Sequence, residues 1–254
     1  MGAFGLIAAF VGGTAAAVPA GTQLLGPSAY RQKAQSPFAG EFGLVFETFE
    51  DGVLDLEGTS IDRGRVLDPS PTTDSVDIDD GPVDGSGSGG HSYVYGIGSI
   101  GLTITFDPDL IGGPPTRVGV VWTDGDGPIT FEAFDTGGVS LGVITGHHAD
   151  DVYTGTTPED RFYGVVHDAG VGSIRIRNEV GGIEIDHVQF VDPFPVSCNR
   201  ADLAEVYGVL DLVDINAFTD YFVAQDERGD LNLDGLFDLV DIALFIDAFV
   251  AGCA

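Results

Sequence analysis

Basic residues are scarce in this chain of 254 residues. Lysine and arginine together number 10 against 40 aspartates and glutamates, which gives a formal net charge of −30, and Lys33 is the only lysine. An acidic surface of this kind repels phosphate backbones, so the composition argues against nucleic acid as a partner. Calcium-rich or saline surroundings would account for the charge, and so would simple solubility.

The sequence also contains few cysteines and tryptophans. There are two cysteines and one tryptophan, and the close cysteine pairs of thiolate zinc sites are absent, which excludes that class of site. A single tryptophan, Trp122, weakens the case for a broad aromatic platform that stacks on sugars. We expect Trp122 to end a core strand instead.

No apolar run is long enough to cross a bilayer as a helix, which needs about 20 residues. The apolar segment at residues 3–18 is too short, and the small residues around positions 18–21 resemble a cleavage site. We therefore expect residues 1–20 to be a secretory signal peptide and the protein to be secreted or extracellular, although the usual basic opening is missing. A buried N-terminal segment is the alternative.

Motifs of common enzyme classes are missing as well. The five histidines show no metalloprotease spacing, and there is no nucleophile elbow, phosphate-binding loop or dinucleotide fingerprint. A glycosidase needs two carboxylates beside a cleft, but with 40 acidic residues such a pair arises by chance. The sequence therefore favours a non-catalytic protein without excluding an enzyme.

Residues 36–191 consist of short runs that alternate apolar and polar residues between Gly, Asp and Pro turns. This pattern predicts half-buried strands, and many strands without helices between them predict a mainly β domain, an antiparallel β-sandwich of jelly-roll type. The predicted strands are residues 44–49, 102–106, 118–122, 129–134, 162–166, 174–177 and 183–188. Residues 192–197, which are rich in proline, are the predicted linker.

The last two of these runs are predicted to form a hairpin through residues 179–182. In that arrangement the isoleucines face inward, and the arginines of one strand oppose the acids of the other on the outer face. The residues concerned are Ile174, Ile176, Ile183 and Ile185 inside, and Arg175, Arg177, Glu184 and Asp186 outside.

An acidic loop within this domain, residues 68–90, carries carboxylates so close together that they repel one another unless solvated or neutralised by a cation. They are Asp74, Asp77, Asp79, Asp80 and Asp84. A second calcium loop is one hypothesis, and a flexible solvated loop is the other, because the ligand spacing is irregular.

Residues 230–241 show a more regular pattern, with oxygen-bearing residues at positions 1, 3, 5, 9 and 12 and Gly235 at position 6. This is the layout of an EF-hand-type calcium loop, whose seventh ligand position is a backbone carbonyl. The predicted ligands are Asp230, Asn232, Asp234, the carbonyl of Leu236, Asp238 and Asp241. Aspartate replaces the usual glutamate at position 12, so we expect a tighter closure or weaker binding.

The calcium-loop segment has an internal copy, because residues 238–249 repeat residues 211–222 at an offset of 27. Apolar residues at helical spacing follow each copy, so each loop is predicted to lead into one amphipathic helix. The upstream loop has one extra residue and lacks the oxygens at positions 3 and 5, and whether it holds a metal stays open. Its candidate ligands are Asp202, Glu205, Asp211 and Asp214.

Two near-duplicate loop–helix units with Asp at position 12 resemble type I dockerins, and the Gly252–Cys253 ending resembles their bacterial GC-type variant. The resemblance covers about residues 196–254, so the predicted module is residues 198–254, small, α-helical and calcium-binding. Cys198 and Cys253 bracket the repeats, and a disulfide between them is expected in a secreted protein, with two free thiols as the alternative.

The resemblance implies a cohesin-like protein domain as the partner, bound by residues at the start of each helix. These are Leu212, Val213, Leu239 and Val240, which would otherwise be core residues. The expected function is thus a secreted, calcium-binding, non-catalytic protein whose sandwich binds a glycan or is structural, and whose module docks on a partner or cell-surface component. The alternative is a carbohydrate-active enzyme or accessory subunit of a cellulosome-like polysaccharide-degrading assembly.

Overall fold

The computed structural model describes residues 18–193, 197–204 and 207–253. Most of the predicted signal peptide, part of the predicted linker and Glu205 lie outside these residues. The ten strands are β1 Thr22–Ala29, β2 Leu44–Glu47, β3 Thr59–Ile61, β4 Arg65–Leu67, β5 Ser92–Tyr95, β6 Leu102–Phe106, β7 Arg117–Asp135, β8 Ser140–Gly146, β9 Arg161–His167 and β10 Val171–Val191. The α-helices are α1 Pro108–Ile111, α2 Leu212–Ala224 and α3 Leu239–Ala251.

Two long strands, β7 and β10, pair antiparallel along most of their length and belong to both layers of a sandwich. Their halves at residues 117–122 and 183–191 form the first layer with β1, β9, β2, β5 and β4. Their halves at residues 129–135 and 171–178 form the second layer with β8, β6 and β3. The sheet therefore folds over on itself at the middle of these two strands.

The main core lies between the two layers. Phe131 of the second layer stacks on Tyr163 of the first, and Phe106 packs edge-on against Phe190, each with ring centroids 5.8 Å apart. Trp122 is completely buried in the same core, as expected, but it lies within β7 and not at the end of a strand. The structure thus confirms the predicted mainly β fold, a jelly-roll-like antiparallel sandwich followed by a few C-terminal helices.

The predicted hairpin at residues 179–182 is wrong, because residues 174–177 and 183–188 lie on the single strand β10. The runs at 118–122 and 129–134 likewise share β7. Pairing continues through the bend, where Val180 lies opposite Asp126 and Ile183 opposite Gly125. Glycines permit a bend as well as a turn, and here the partner strand bends with β10, so the two strands stay paired with register shifts on both sides of Val180. Arg175 and Arg177 therefore do not oppose Glu184 and Asp186.

Asn178 holds this bend from within. Its side-chain amide donates to the carbonyls of Asp126 at 3.2 Å and Gly182 at 2.8 Å, and also to that of Val180. Asn178 is almost completely buried, so the carbonyls it satisfies have little access to water.

The outer face of the first layer carries a second, smaller core. It is composed of Tyr30, Phe38, Val76, Val121, Phe162 and Val191. Val76 belongs to the acidic loop, and its N–H donates to the carboxylate of Asp186 on β10 at 2.8 Å. The acidic loop is therefore packed against the sheet over part of its length.

The sandwich extends further toward the N-terminus than the predicted start at residue 36. Strand β1 pairs with β9 and forms the edge of the first layer. The pattern was missed because β1 is largely exposed and contains Gly26 and Pro27, which interrupt the alternation.

The C-terminal module has its own core around two stacked rings. Phe218 of α2 and Phe245 of α3, which are equivalent in the repeat, lie 4.2 Å apart between centroids. Both helices have 13 residues and begin at an aspartate capping box, Asp211 for α2 and Asp238 for α3. Cys198 and Cys253 form the expected disulfide. The module contacts the sandwich through an ion pair between Lys33 and Glu227.

We predict that Asn178→Ala lowers the free energy of unfolding of the sandwich by about 1–3 kcal/mol, because buried carbonyls lose their donor. Chemical unfolding followed by tryptophan fluorescence measures this. The exposed neighbour Glu179 is the control position, where Glu179→Ala should change stability by no more than about 0.5 kcal/mol. Equal stability of both variants would show that the amide is not needed at the bend.

We predict that replacing both cysteines by serine lowers the stability of the module by roughly 2–4 kcal/mol, because the unfolded chain regains the freedom of a 55-residue loop. Denaturant unfolding followed by far-ultraviolet circular dichroism reports the helices, while tryptophan fluorescence reports the sandwich as an internal control. An unchanged helical transition would contradict the prediction.

Candidate functional site

The first carboxylate of the predicted calcium loop, Asp230, organises the turn that follows it. Its Oδ2 accepts the N–H of Gly235 at 2.7 Å, and its Oδ1 accepts the N–H of Asp234 at 3.2 Å. Gly235 has a φ of 76°, in the left-handed region that glycine enters without strain, as the predicted sharp turn requires.

The last carboxylate, Asp241, closes the loop from the other end. Its Oδ1 accepts the N–H groups of Leu231 at 2.8 Å and Asn232 at 3.3 Å, and its Oδ2 accepts the N–H of Asp238 at 3.0 Å. Asp241 is completely buried. Because an ionised carboxylate oxygen has more than one lone pair, these oxygens can still bind a cation.

The middle of the loop brings Asn232 and Asp234 together. The Asn232 amide donates to Asp234 Oδ2 at 2.8 Å, and Asp234 Oδ1 accepts the N–H of Leu236 at 2.8 Å. Asp238 uses Oδ1 to cap α3 by accepting the N–H of Val240 at 2.7 Å. The side chain of Leu236 is exposed and has no ligand atom, so only the backbone carbonyl of this residue could bind the cation.

The donor set of this loop fits Ca²⁺, a hard cation that takes 6–8 oxygen ligands. Burial raises the pKa of Asp230, and the neighbouring carboxylates of Asp241 and Asp234 raise it further. A cation would relieve both effects. Among the described residues, three clusters of His, Cys, Asp or Glu side chains each have three ligand atoms within 4.8 Å of one another. The carboxylates of the 230–241 loop do not form such a cluster, so cation binding requires them to move closer together.

The upstream loop closes in the same way despite its altered sequence. Asp202 Oδ2 accepts the N–H groups of Gly208 and Cys198, each at 2.6 Å. Asp214 Oδ1 accepts the N–H groups of Leu203 at 2.9 Å and Ala204 at 3.0 Å. Asp202 and Asp214 therefore correspond to Asp230 and Asp241.

The interior of the upstream loop supplies fewer oxygens. Ala204 replaces Asn232, and Asp211 uses its Oδ1 to cap α2 by accepting the N–H of Val213 at 2.7 Å. Asp202 Oδ1 is buried without a hydrogen-bond partner. Gly208 precedes Gly235 by 27 positions and also has a positive φ, 87°, so it is the turn glycine of the upstream loop, and the repeat offset alone would have identified it.

The acidic loop of the sandwich does not gather its five predicted residues at one point. The carboxylates of Asp77, Asp80 and Asp84 lie within 4.8 Å of one another. Asp77 is buried and accepts hydrogen bonds from the N–H of Asp84 at 2.9 Å and the hydroxyl of Thr157 at 2.9 Å.

The other two acidic-loop residues lie elsewhere. Asp79 Oδ2 contacts His187 Nε2 at 2.7 Å, and the other ring nitrogen of His187 lies 3.0 Å from the Tyr30 hydroxyl. Asp74 is completely buried, and its N–H donates to Glu184 of β10 at 2.8 Å. Both residues contact strand β10, whose Glu184 and Asp186 are buried and not on the exposed face predicted for them.

The predicted partner-binding residues at the helix starts are exposed. The accessible fraction is 74% for Leu212, 50% for Val213, 79% for Leu239 and 48% for Val240. The alternative that they are core residues of the module is therefore wrong. The module core is formed by later residues of the same helices, such as Phe218 and Phe245.

Within the described part of the chain, no helix is long and apolar enough to cross a membrane. The chain matches no protein-family model, and no curated protein matches it significantly.

Solved structures give only distant likenesses. The carbohydrate-binding module TmCBM61, in complex with β-1,4-galactotriose, is 14% identical over 57% of this chain and 94% of its own, with a TM-score of 0.28. The catalytic domain of a GH87 α-1,3-glucanase is 14% identical over 74% of this chain and 34% of its own, with a TM-score of 0.34. The CBM22-1–GH10 modules of a Clostridium thermocellum endo-1,4-β-D-xylanase are 13% identical over 72% and 36%, with a TM-score of 0.32. At these scores the likeness carries no argument about function.

We predict that Asp230→Asn together with Asp241→Asn weakens calcium binding to the module by at least about tenfold, because two ligand charges are lost. The calcium-dependent gain of helicity should disappear with it. Calorimetric titration and far-ultraviolet circular dichroism measure the two effects. Asp247→Asn, an exposed substitution on α3, is the matched control. If the double variant retains the affinity and helicity of the control, residues 230–241 are not a calcium loop.

Proposed function

We propose that this chain is a secreted, non-catalytic, calcium-binding protein that docks through its C-terminal module on an extracellular partner or cell-surface component. The observation that carries the proposal is the exposure of the Leu-Val pair at the start of both α2 and α3. The pairs are related by the repeat, so the module presents the same apolar feature twice.

The apolar surface of the module extends beyond these pairs. Its exposed large hydrophobic residues include Leu212, Val213, Val223, Leu236, Leu239, Val240, Ile246 and Val250. A groove of about 360 Å³ runs between the two helices, lined by Phe222 and Phe249 among others. A small domain that leaves this much apolar surface in water is typical of a protein-binding module.

The charge of the module limits its choice of partner. Arg200 and Arg228 are the only basic residues between positions 198 and 254, among many acidic ones. A partner with apolar pockets and a basic rim would complement this surface. By the dockerin resemblance, the partner is a cohesin-like domain.

Calcium has a structural role in this proposal. In both loops the first and last carboxylates hold the backbone that leads directly into a helix N-terminus. A cation bound by these carboxylates would order the loops and fix the two Leu-Val pairs relative to each other, which couples metal binding to recognition.

The sandwich, in the same proposal, binds a glycan or serves as a structural unit. The alternative of a carbohydrate-active enzyme requires two carboxylates that face an open cleft. The buried carboxylates Asp74 and Asp160 lie out of contact with solvent, and Trp122 is enclosed in the core. Incubating the full chain with a panel of polysaccharides, in parallel with a glycan array, separates the possibilities: turnover supports the enzyme, and binding without turnover supports the glycan-binding sandwich.

We predict that Leu212→Ser together with Leu239→Ser weakens binding to a cohesin-like domain by at least about 100-fold, since burying each leucine side chain in a contact contributes roughly 1.5–3 kcal/mol. Surface plasmon resonance against a panel of cohesin-like domains measures this, with circular dichroism to confirm that the helices remain. Val139→Ser, at an exposed apolar position on the sandwich, is the control.

Two results would contradict the docking proposal. One is that no domain of the panel and no preparation of the producing cells' surface binds the unaltered chain. The other is that the double variant binds as tightly as the control.

A further inference from the structure

An unassigned group of acidic side chains lies beneath the acidic loop, on the outer face of the first layer. Glu184 of β10 lies opposite Asp124 of β7. Asp186, two residues further along β10, lies opposite Val121. Because directly opposite residues of an antiparallel pair share a face, these acids point to the side that carries the smaller core. Asp160 precedes Phe162, a member of that core on the neighbouring strand β9, by two positions.

The acidic loop covers this group with a further carboxylate. Asp74 enters from residues 73–77, which are held against β10 by two hydrogen bonds, from the N–H of Asp74 to Glu184 and from the N–H of Val76 to Asp186. Glu159, just before Asp160, completes the group.

These oxygens are buried and lack hydrogen-bond partners. Asp74 and Asp160 have no accessible surface, and Asp124 and Glu159 have almost none. Both carboxylate oxygens of Asp74 and of Asp160 accept no hydrogen bond, and the same is true of one oxygen each on Asp124 and Glu159. Buried polar oxygens are nearly always paired in proteins, so six unpaired ones on neighbouring side chains need a partner.

No basic side chain supplies that partner. Among the residues that the structure describes, the ion pairs involve none of Asp74, Asp124, Glu159, Asp160 and Glu184. Burial, reinforced by repulsion from Glu184 and Asp124, raises the pKa of Asp74 to about 10. Burial also raises the pKa of Glu184 to about 7 and that of Glu159 to about 8.

We propose that this group is a binding site for a hard divalent cation of the calcium type, held by Asp74 and Asp160 together with Asp124, Glu159 and Glu184. It is separate from the loops of the C-terminal module, and it does not rest on the docking function. All of its donors are oxygens, which suits Ca²⁺ and disfavours softer metals that prefer nitrogen and sulfur.

The proposed site differs from the site that the sequence suggested in the acidic loop. Of the five aspartates at residues 74–84, only Asp74 takes part, and the other ligands come from β7, from β10 and from the turn before β9. The group is not among those whose ligand atoms already lie within 4.8 Å, so binding draws these side chains inward. The bound ion would pin residues 73–77 to three neighbouring strands and offset the repulsion among the buried carboxylates.

The test counts calcium ions bound by the full chain. In a background of Asp230→Asn and Asp241→Asn, which disables the downstream loop of the module, equilibrium dialysis with metal analysis gives the remaining calcium per chain. Adding Asp74→Asn and Asp160→Asn should remove one ion. Adding Asp109→Asn and Asp168→Asn instead, which removes two exposed charges from the sandwich, should remove none.

Stability gives a second measurement whose sign distinguishes the site from protonated carboxylates. With calcium present, Asp74→Asn and Asp160→Asn should lower the thermal unfolding midpoint of the sandwich, followed by Trp122 fluorescence. In chelator the same variant should be at least as stable as its parent, because two mutually repelling groups become neutral.

Three outcomes would overturn the proposal. The calcium count could be the same with and without Asp74→Asn and Asp160→Asn. The variant could be as stable as its parent in both buffers, which would mean that protons already neutralise the carboxylates and that no ion is bound there. It could also fail to fold in chelator, where the proposal gives it no disadvantage.

Discussion

The continuous antiparallel pairing of β7 and β10 is the constraint on which the rest of the structure depends. These strands of 19 and 21 residues remain paired as they cross from one layer to the other, so both layers share them. Their bend is stabilised by the buried amide of Asn178, which satisfies carbonyls that the curvature turns away from a strand partner. The main core forms between the two halves, and the smaller core forms outside the first layer.

The same pairing places the buried acids. Glu184 and Asp186 follow the bend on β10, and Asp124 lies opposite Glu184 on β7. A half-buried sheet normally exposes such residues to solvent, but here residues 73–78 of the acidic loop cover that face. A polar outer face is thereby converted into an interior that needs a counter-charge.

Scarcity of basic residues links the two halves of the protein. With 10 basic residues against 40 acidic ones, few carboxylates can be neutralised by lysine or arginine. In the module, backbone N–H groups donate hydrogen bonds to the carboxylates of Asp202, Asp214, Asp230 and Asp241. In the sandwich, Asp74 and Asp160 have no such donors. The proposed cations would meet the same electrostatic need in both places, through short-range loop ligands in one and long-range ligands in the other.

The sequence by itself determined the features whose parts are close together along the chain. The turn after Asp230 and the starts of α2 and α3 follow from hydrogen bonds between residues a few positions apart. Alternating runs likewise determined the mainly β class, because alternation reflects only the half-burial of one strand.

Only the tertiary structure decided the features that join distant segments. Residues 179–182 contain the glycines of either a turn or a bend, and the pairing of β10 with β7 selects the bend. The N–H of Asp74 reaches Glu184 across 110 positions, so no local pattern could assign these two residues to one group. The exposure of Leu212 and Leu239 was undecided for the same reason, since an apolar residue at a helix start faces either core or solvent until its neighbours are placed. Local spacing specifies conformation, whereas burial and charge compensation depend on which distant segments the fold brings together.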